Sequence, residues 1–283
     1  MTLNKPKLAL AYSVRDPAGS GAVERLLRIT DARDTECPHT VKCYRLEYYE
    51  VLVGGFDVDT PFFEFLDRAP DPEADAVIVL SRHSSESGAK TLTVHHTGNP
   101  SSAVYGGEPG RLSIAYPALS KSLLKAYRAA AESRGILDEY DLKLEATHHG
   151  PTRPRKPLVF IEIGSTMNAW SDPRAQEAMA VAVLSVLEQG LEECIPAAGF
   201  GGSHYPIKFT RLQLESNYCL GHIIPKYAFR SNIDLPNITY QAVKRTYPRR
   251  VDLALIEKKS LRSTERKNLE EILRNVGVDF EYV

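Results

Sequence analysis

Cysteine is scarce, with four in 283 residues. Cys37, Cys43, Cys194 and Cys219 are too few and too scattered for the disulfide framework of a small secreted domain, so a reducing compartment is expected. Cys37, His39 and Cys43 fall together in CPHTVKC, but the spacing is not that of a zinc knuckle and no second Cys/His cluster completes four ligands. They read as plain loop and strand residues. Long apolar runs are also missing. None approaches the roughly 20 residues needed to cross a bilayer, and the apolar part of MTLNKPKLALAYS is too short for a signal peptide. A core strand in a cytoplasmic protein with no membrane partner is expected there. Charge of one sign is not in excess: 35 Lys and Arg against 36 Asp and Glu give a formal net charge of −1, which excludes a protein that coats nucleic acid through a global positive field. Repeats of fixed period and low-complexity tracts are absent, which excludes a solenoid or a disordered tether. Familiar catalytic signatures are absent too. No Walker loop, dinucleotide fingerprint, H-E-x-x-H helix or G-x-S-x-G elbow occurs.

What is present is an ordinary globular composition, 43% hydrophobic and 25% charged, in a chain long enough for a substantial core. Short β-branched runs, KLALAYS, YEVLVGG, DAVIVLS, TLTVHHT, LKLEATH, LVFIEIG and VDLALIE, read as strands closed by turn chemistry. Between them lie helical patterns. Pro117 opens one that Gly135 closes; Asp172 caps a second, with Pro173 in its first turn and Gly190 at its end; STERKNLEEILRNVG is a third. Strands apolar throughout, alternating with such helices, predict a three-layer α/β/α sandwich with a mostly parallel sheet, mixed at an edge. The stretch from Cys219 to Ile238 reads as an irregular excursion. The whole chain, 1–283, is taken as one domain with insertions.

Five of the eight histidines fall at three strand ends: His83 after DAVIVLS, His95 and His96 in LTVHHTGN, His148 and His149 in LEATHHGPT. Ligands of open α/β sheets gather beyond the carboxyl ends of strands, so these imidazoles converge if the strands are neighbours. Successive residues of a strand face opposite ways, so one histidine of each pair should serve the site. His96 and His149, nearer the turns, are the expected catalytic members together with Glu162; His95 and His148 are left for packing or support. His83, His96, His148, His149 and His204 are the residue types that hold a metal. Ser84, Ser85 and Asn99 lie on the same rim as candidate substrate contacts. The glycine-rich run before His204 offers the amides of Gly201 and Gly202 to developing negative charge, or else makes a tight turn. Arg153, Arg155 and Lys156 follow the second histidine pair directly and are the best placed of the basic clusters to grip a polyanion; Lys244 to Arg250, and Lys258 with Lys259, are others.

SRHSSESG, LTVHHTGN, EATHHGPT, FIEIGST followed by Trp170 to Asp172, and GFGGSHYP, in that order, resemble the archaeal-type D-aminoacyl-tRNA deacylases, also found in plants. The resemblance runs from the first strand to at least Pro206. It implies a phosphorylase/hydrolase-like α/β fold, a zinc cofactor, and hydrolysis of the ester between a D-amino acid and tRNA. An aminoacyl ester is already activated, so water activated by a metal or by His and Glu would suffice as nucleophile. A monomer acting on D-aminoacyl-tRNA is expected. Two other classes use some of the same residues: a zinc-dependent amidohydrolase or peptidase acting on small substrates, and a non-catalytic RNA-binding module.

Overall fold

In the computed structural model, residues 6–283 are described; the Met1–Lys5 part of the expected short apolar start lies outside them. The chain opens with β1 (Leu8–Ser13), α1 (Pro17–Ile29), β2 (Ala32–Asp34), β3 (Lys42–Leu46), β4 (Val51–Phe56), β5 (Ala76–Ser84) and β6 (Thr91–His95). A short pair, β7 (Gly98–Asn99) and β8 (Arg111–Leu112), precedes α2 (Pro117–Ser133), β9 (Asp141–Leu144), β10 (Leu158–Ser165), α3 (Met167–Trp170) and α4 (Pro173–Gln189). The remainder is β11 (Ile195–Phe200), α5 (Ile207–Glu215), β12 (Tyr218–Ile224), α6 (Leu235–Lys244), β13 (Leu253–Ile256), α7 (Ser263–Asn275) and β14 (Asp279–Tyr282).

Eight strands form a large sheet in the order β2-β3-β4-β1-β5-β10-β6-β9. Its centre, β4, β1, β5 and β10, is parallel; β6 runs antiparallel to β10, and β2 and β3 close the other edge antiparallel. The α/β class and the mixed sheet are those expected. Strand alternation divides the two faces. Leu10, Ile78, Leu80, Leu92, Val94, Val159 and Ile161 pack with residues of α1, α2 and α4. Their neighbours Val77, Val79, Leu158 and Phe160 point the other way, against Phe56, Phe63 and Leu66. The helix signals read at Pro117, Asp172 and Pro173 are used, and α1 carries a cap and a proline of the same kind. Asp16 and Asp172 cap α1 and α4 by accepting backbone N–H bonds, and α1, α2 and α4 each begin with proline, whose missing N–H costs nothing there.

The structure corrects the sequence reading in two places. The stretch from Cys219 is not irregular throughout: it contains most of β12, which pairs in parallel with β11 in a second, four-stranded sheet, β12-β11-β13-β14. One face of this sheet, with Ala197, Leu220 and Ile223, joins the core around α2; the other is covered by α6 and α7. VDLALIE, expected in the main sheet, is β13 of the second. The cysteines also are not free: Cys37 pairs with Cys43, and Cys194 with Cys219. Scattered positions hid the pairs because sheet registry, not sequence proximity, brings Cys194 and Cys219 to the starts of adjacent parallel strands.

The Cys194–Cys219 bond spans 25 positions. Closing a loop of that size removes unfolded-state entropy amounting to about 3 kcal/mol. The double substitution Cys194→Ser with Cys219→Ser should lower the unfolding free energy by roughly that amount in denaturant titration, and an unchanged midpoint would show that the bond contributes nothing.

Candidate metal centre and active site

Four adjacent strands, β5, β10, β6 and β9, each lead a polar side chain toward the sheet face opposite the helices. On β5, Ile78 and Leu80 face the helices, so Ser81 and His83 face away. On β10 the same parity exposes Glu162; on β6, Leu92 and Val94 turn inward and His95 outward. On β9, Leu144 is inward, and Glu145, just past the strand, faces out. Register places Gly164 beside His83 and Phe160 beside His95. A Cβ on Gly164 would overlap Thr91 Oγ1 and lie 2.9 Å from the His83 ring, so glycine there keeps room for the imidazole. His148 and His149 follow from the turn after Glu145, and His204 arrives on the loop between β11 and α5.

The cluster is tight. Glu145 Oε2 lies 3.2 Å from His83 Nδ1, 3.4 Å from His148 Nε2 and 3.0 Å from His204 Nε2. Glu162 Oε2 lies 3.5 Å from both His83 Nδ1 and His95 Nε2. The rings of His95, His148 and His149 crowd together with centroids 4.4–4.9 Å apart, and Phe160 packs against His95 and His149 at 5.2 Å. Despite these distances, neither oxygen of Glu145, nor Glu162 Oε2, nor His95 Nε2 has an aligned hydrogen-bond donor or acceptor. Buried carboxylate oxygens without donors are costly. The atoms converge on shared points rather than on one another.

Ring tautomers reinforce this. His148 Nδ1 faces the Ala146 carbonyl at 2.9 Å and His149 Nδ1 faces the Gly150 carbonyl at 2.5 Å, so each Nδ1 carries the proton and each Nε2 presents a lone pair inward. Burial and the neighbouring His149 and His95 push His148 well below the ordinary imidazole range; burial and His95 bring His149 to about 4. Both are neutral at physiological pH. Burial disfavours charge on Glu145 and Glu162 as well, yet the surrounding imidazoles hold both carboxyls well below the usual range. Burial likewise opposes protonation of His83 and His95, but the two carboxylates outweigh it and raise both. Lone pairs facing carboxylate oxygens require positive charge between them, either a proton or a metal ion. His83, Glu145, His148 and His204 form one group of donor atoms within 4.8 Å; His95, His148 and His149 form another, and His95, Glu145 and Glu162 a third. Mixed imidazole and carboxylate donors are the set that zinc takes.

Other expected site residues stand elsewhere. His96 is outside the cluster: because β6 runs through His95, parity sends His96 to the helix side. There Nε2 accepts the Tyr116 N–H at 3.0 Å, Nδ1 meets the Gly221 carbonyl at 3.1 Å, and burial lowers its pKa to about 4. His95 occupies the position expected of His96. The Gly201 and Gly202 amides are already engaged, with the Ile224 carbonyl at 2.8 Å and Ser260 Oγ at 2.9 Å, so they make a tight turn, not an oxyanion hole. Asn99 is buried and donates to the Gly106 carbonyl, holding a loop. Ser84 is exposed at the end of β5, and Ser85 bonds Ser87. Lys156 is no polyanion grip, because its ammonium is spent on the Asp71 and Pro72 carbonyls at 2.6 and 2.7 Å. Arg153, paired with Glu108, and Arg155 remain on the surface. Sequence reasoning missed Glu145, whose signal was its parity with Leu142 and Leu144, and Tyr205, whose hydroxyl lies 2.6 Å from His83 Nε2.

The family model for D-aminoacyl-tRNA deacylase matches residues 70–281. This chain belongs to that family. It is 49% identical to the D-aminoacyl-tRNA deacylase of Aeropyrum pernix over 98% of this chain and 100% of that one. It is 43% identical to the Staphylothermus marinus protein of the same name over 97% and 98%. A crystallised conserved protein of unknown function has the same fold, with TM-score 0.88 at 28% identity over 98% of this chain and 95% of that one.

The adjacent histidines of this family member separate the two roles cleanly. His95→Gln, which keeps most of the buried bulk against Phe160, should reduce turnover at least about a hundredfold with a smaller loss of stability than His96→Ala, which strands the buried Tyr116 N–H and should cost about 1–3 kcal/mol. Turnover and thermal denaturation of both variants check this; the reverse pattern would return the active role to His96.

Proposed function

We propose that this chain hydrolyses the ester joining a D-amino acid to the terminal ribose of tRNA, releasing free D-amino acid and tRNA. Family membership supports the substrate, and the observation that carries the chemistry is the buried histidine and carboxylate cluster with its donorless oxygens. We propose zinc as the cofactor, held by His83, Glu145, His148 and His204, with His95, His149 and Glu162 alongside. When bound, zinc acidifies water toward neutral pH and polarises an ester carbonyl.

The chain's own residues supply the rest. Tyr205, bonded to His83 Nε2, fixes that ring with Nδ1 toward the carboxylates. The Ala146 and Gly150 carbonyls hold the His148 and His149 rings in the tautomers with inward lone pairs. Glu162, ionised and buried, is placed to orient the attacking water; as water's oxygen adds to the ester carbon the ester C–O bond breaks, and the ribose oxygen leaves with the proton that the water gives up. Phe160 and the strand walls exclude bulk water, which strengthens each of these interactions. Arg153 and Arg155, on the rim just beyond His149, face the substrate's phosphates. Among the described residues no helix is long and apolar enough to cross a membrane. A cytoplasmic monomer completes the proposal.

The test compares D-tyrosyl-tRNA, L-tyrosyl-tRNA, an N-blocked peptidyl-tRNA and a small D-amino-acid ester under one set of conditions. The D-aminoacyl-tRNA should be cleaved at least about a hundredfold faster than the L-isomer, a ratio that needs only a few kcal/mol of differential binding. Preference for the peptidyl substrate would make the enzyme a peptidyl-tRNA hydrolase, and equal speed on the small ester would make it an amidohydrolase-like esterase.

A further inference from the structure

We infer that Phe62 and Tyr105 form a stacking platform for the unpaired bases at the 3′ end of the RNA substrate, beside the turn that carries His149. The inference rests on the deacylase reading above and adds to it the place where the nucleobases lie. Phe62, Val104 and Tyr105 leave 50%, 77% and 66% of their surface to solvent. Single exposed apolar residues are ordinary. These three belong to two segments held by a third, and the third is the active-site turn.

The Gly150 N–H donates to the Tyr105 carbonyl at 2.8 Å. A Cβ on Gly106 would overlap the Pro61 carbonyl, and one on Gly150 would overlap the Gly107 amide, so backbones 61–62, 105–107 and 149–150 touch. Gly106 and Gly107 take the positive φ values, +63° and +77°, that this packing needs. Asn99 Nδ2 ties the loop through the Gly106 carbonyl at 2.9 Å, and Thr152 Oγ1 ties it through the Glu108 N–H at 2.9 Å. The apolar side chains are thus displayed on a pinned backbone one residue from His149. That is the arrangement of a binding platform: ordering entropy is spent in folding, not at binding.

Charge selects the occupant. The Glu64 carboxylate accepts the Thr152 and Arg153 N–H groups, and Asp67 accepts those of Arg155 and Lys156, so both acids are turned toward backbone amides. Outward, the Arg155 side chain is 91% exposed, 3.8 Å from Asp67, and that of Arg153 is 61% exposed, its Nε paired with Glu108 Oε1 at 2.8 Å, so that it reaches a phosphate only by sharing that pair. Exposed guanidinium groups on the segment that follows His149, one of them joined to the Tyr105 loop through Glu108, together with exposed aromatic rings suit single-stranded RNA, whose phosphates take the charge while its bases stack. The aminoacyl ester sits on the last ribose of such a strand. With the ester at the histidine cluster, the adjoining base reaches the turn after His149, whose Gly150 N–H holds the Tyr105 carbonyl.

The experiment uses the full chain and a short RNA stem with an unpaired 3′ end. Its last base is 2-aminopurine, and its D-amino acid is joined by an amide in place of the ester. Binding to the wild-type protein should quench the fluorescence. Tyr105→Ala should weaken binding about tenfold and remove most of the quenching, Phe62→Ala should weaken it less, and Tyr105→Trp should restore both. In parallel, Tyr105→Ala should raise KM for D-tyrosyl-tRNA about tenfold while leaving kcat within about twofold. Wild-type deacylation with unchanged quenching and KM in both alanine variants would overturn the platform while leaving the enzyme's function intact. Absence of wild-type deacylation would overturn the functional reading itself.

Discussion

A carboxylate buried among imidazoles, with neither oxygen aligned to a hydrogen-bond donor, is the constraint around which this molecule is built. An isolated ionised Glu145 would be far too costly in so dry a place, and its carboxyl would simply stay protonated. It does not, because His204 and His83 stand 3.0 and 3.2 Å from one of its oxygens, while neutral His148 turns a lone pair toward the same point at 3.4 Å. Two of those rings are held in turn: His83 by Tyr205, His148 by the Ala146 carbonyl. Such a set is stable only with positive charge at its centre. Divalent metal satisfies that need more completely than a shared proton, since it takes lone pairs from both kinds of donor at once.

The two sheets are joined for the same purpose. Most of the cluster comes from the large sheet, but His204 and Tyr205 come from the loop after β11 in the small one. The joint must therefore be rigid. Ala146 N–H bonds the His204 carbonyl at 2.8 Å and Thr147 N–H bonds the Ile223 carbonyl at 2.9 Å, fixing the Glu145 turn to the second sheet. Thr147 Oγ1 meets His222 Nδ1 at 3.2 Å, and His222 Nε2 meets the Ser113 carbonyl at 3.1 Å. Lys121 on α2, almost wholly buried, spends its ammonium on the Ser216 and Tyr218 carbonyls. His96 belongs to this joint, bridging the start of α2 to β12. Two of the eight histidines, His96 and His222, thus serve the frame that positions five others.

Much of this was legible in the sequence, and its limits follow from physics. The α/β class, the helix cap at Asp172 and helix start at Pro117, and the convergence of strand-end histidines could be read from periodicity and turn chemistry. Choosing between His95 and His96 needed one further step: extending the apolar parity of Leu92 and Val94 puts His95, not His96, on the polar face. The same parity from Leu142 and Leu144 would have found Glu145. By contrast, the spent amides of Gly201 and Gly202, the spent ammonium of Lys156 and the Cys194–Cys219 pair depend on partners 23 to 85 positions away, which local pattern does not encode. The second sheet escaped notice because β12 contains a glycine and a histidine and is followed by irregular chain, so its period is broken on both counts.

The central claim is that His83, Glu145, His148 and His204 are ligands of one metal centre. X-ray absorption at the zinc edge of the purified, zinc-loaded protein tests it most directly. The account predicts a nitrogen and oxygen shell at about 2.0–2.2 Å with a clear imidazole scattering signature, lost in Glu145→Gln with His204→Ala while the fold persists. A sulfur shell at about 2.3 Å, or an unchanged imidazole shell in that double variant, would place the metal elsewhere and contradict the account.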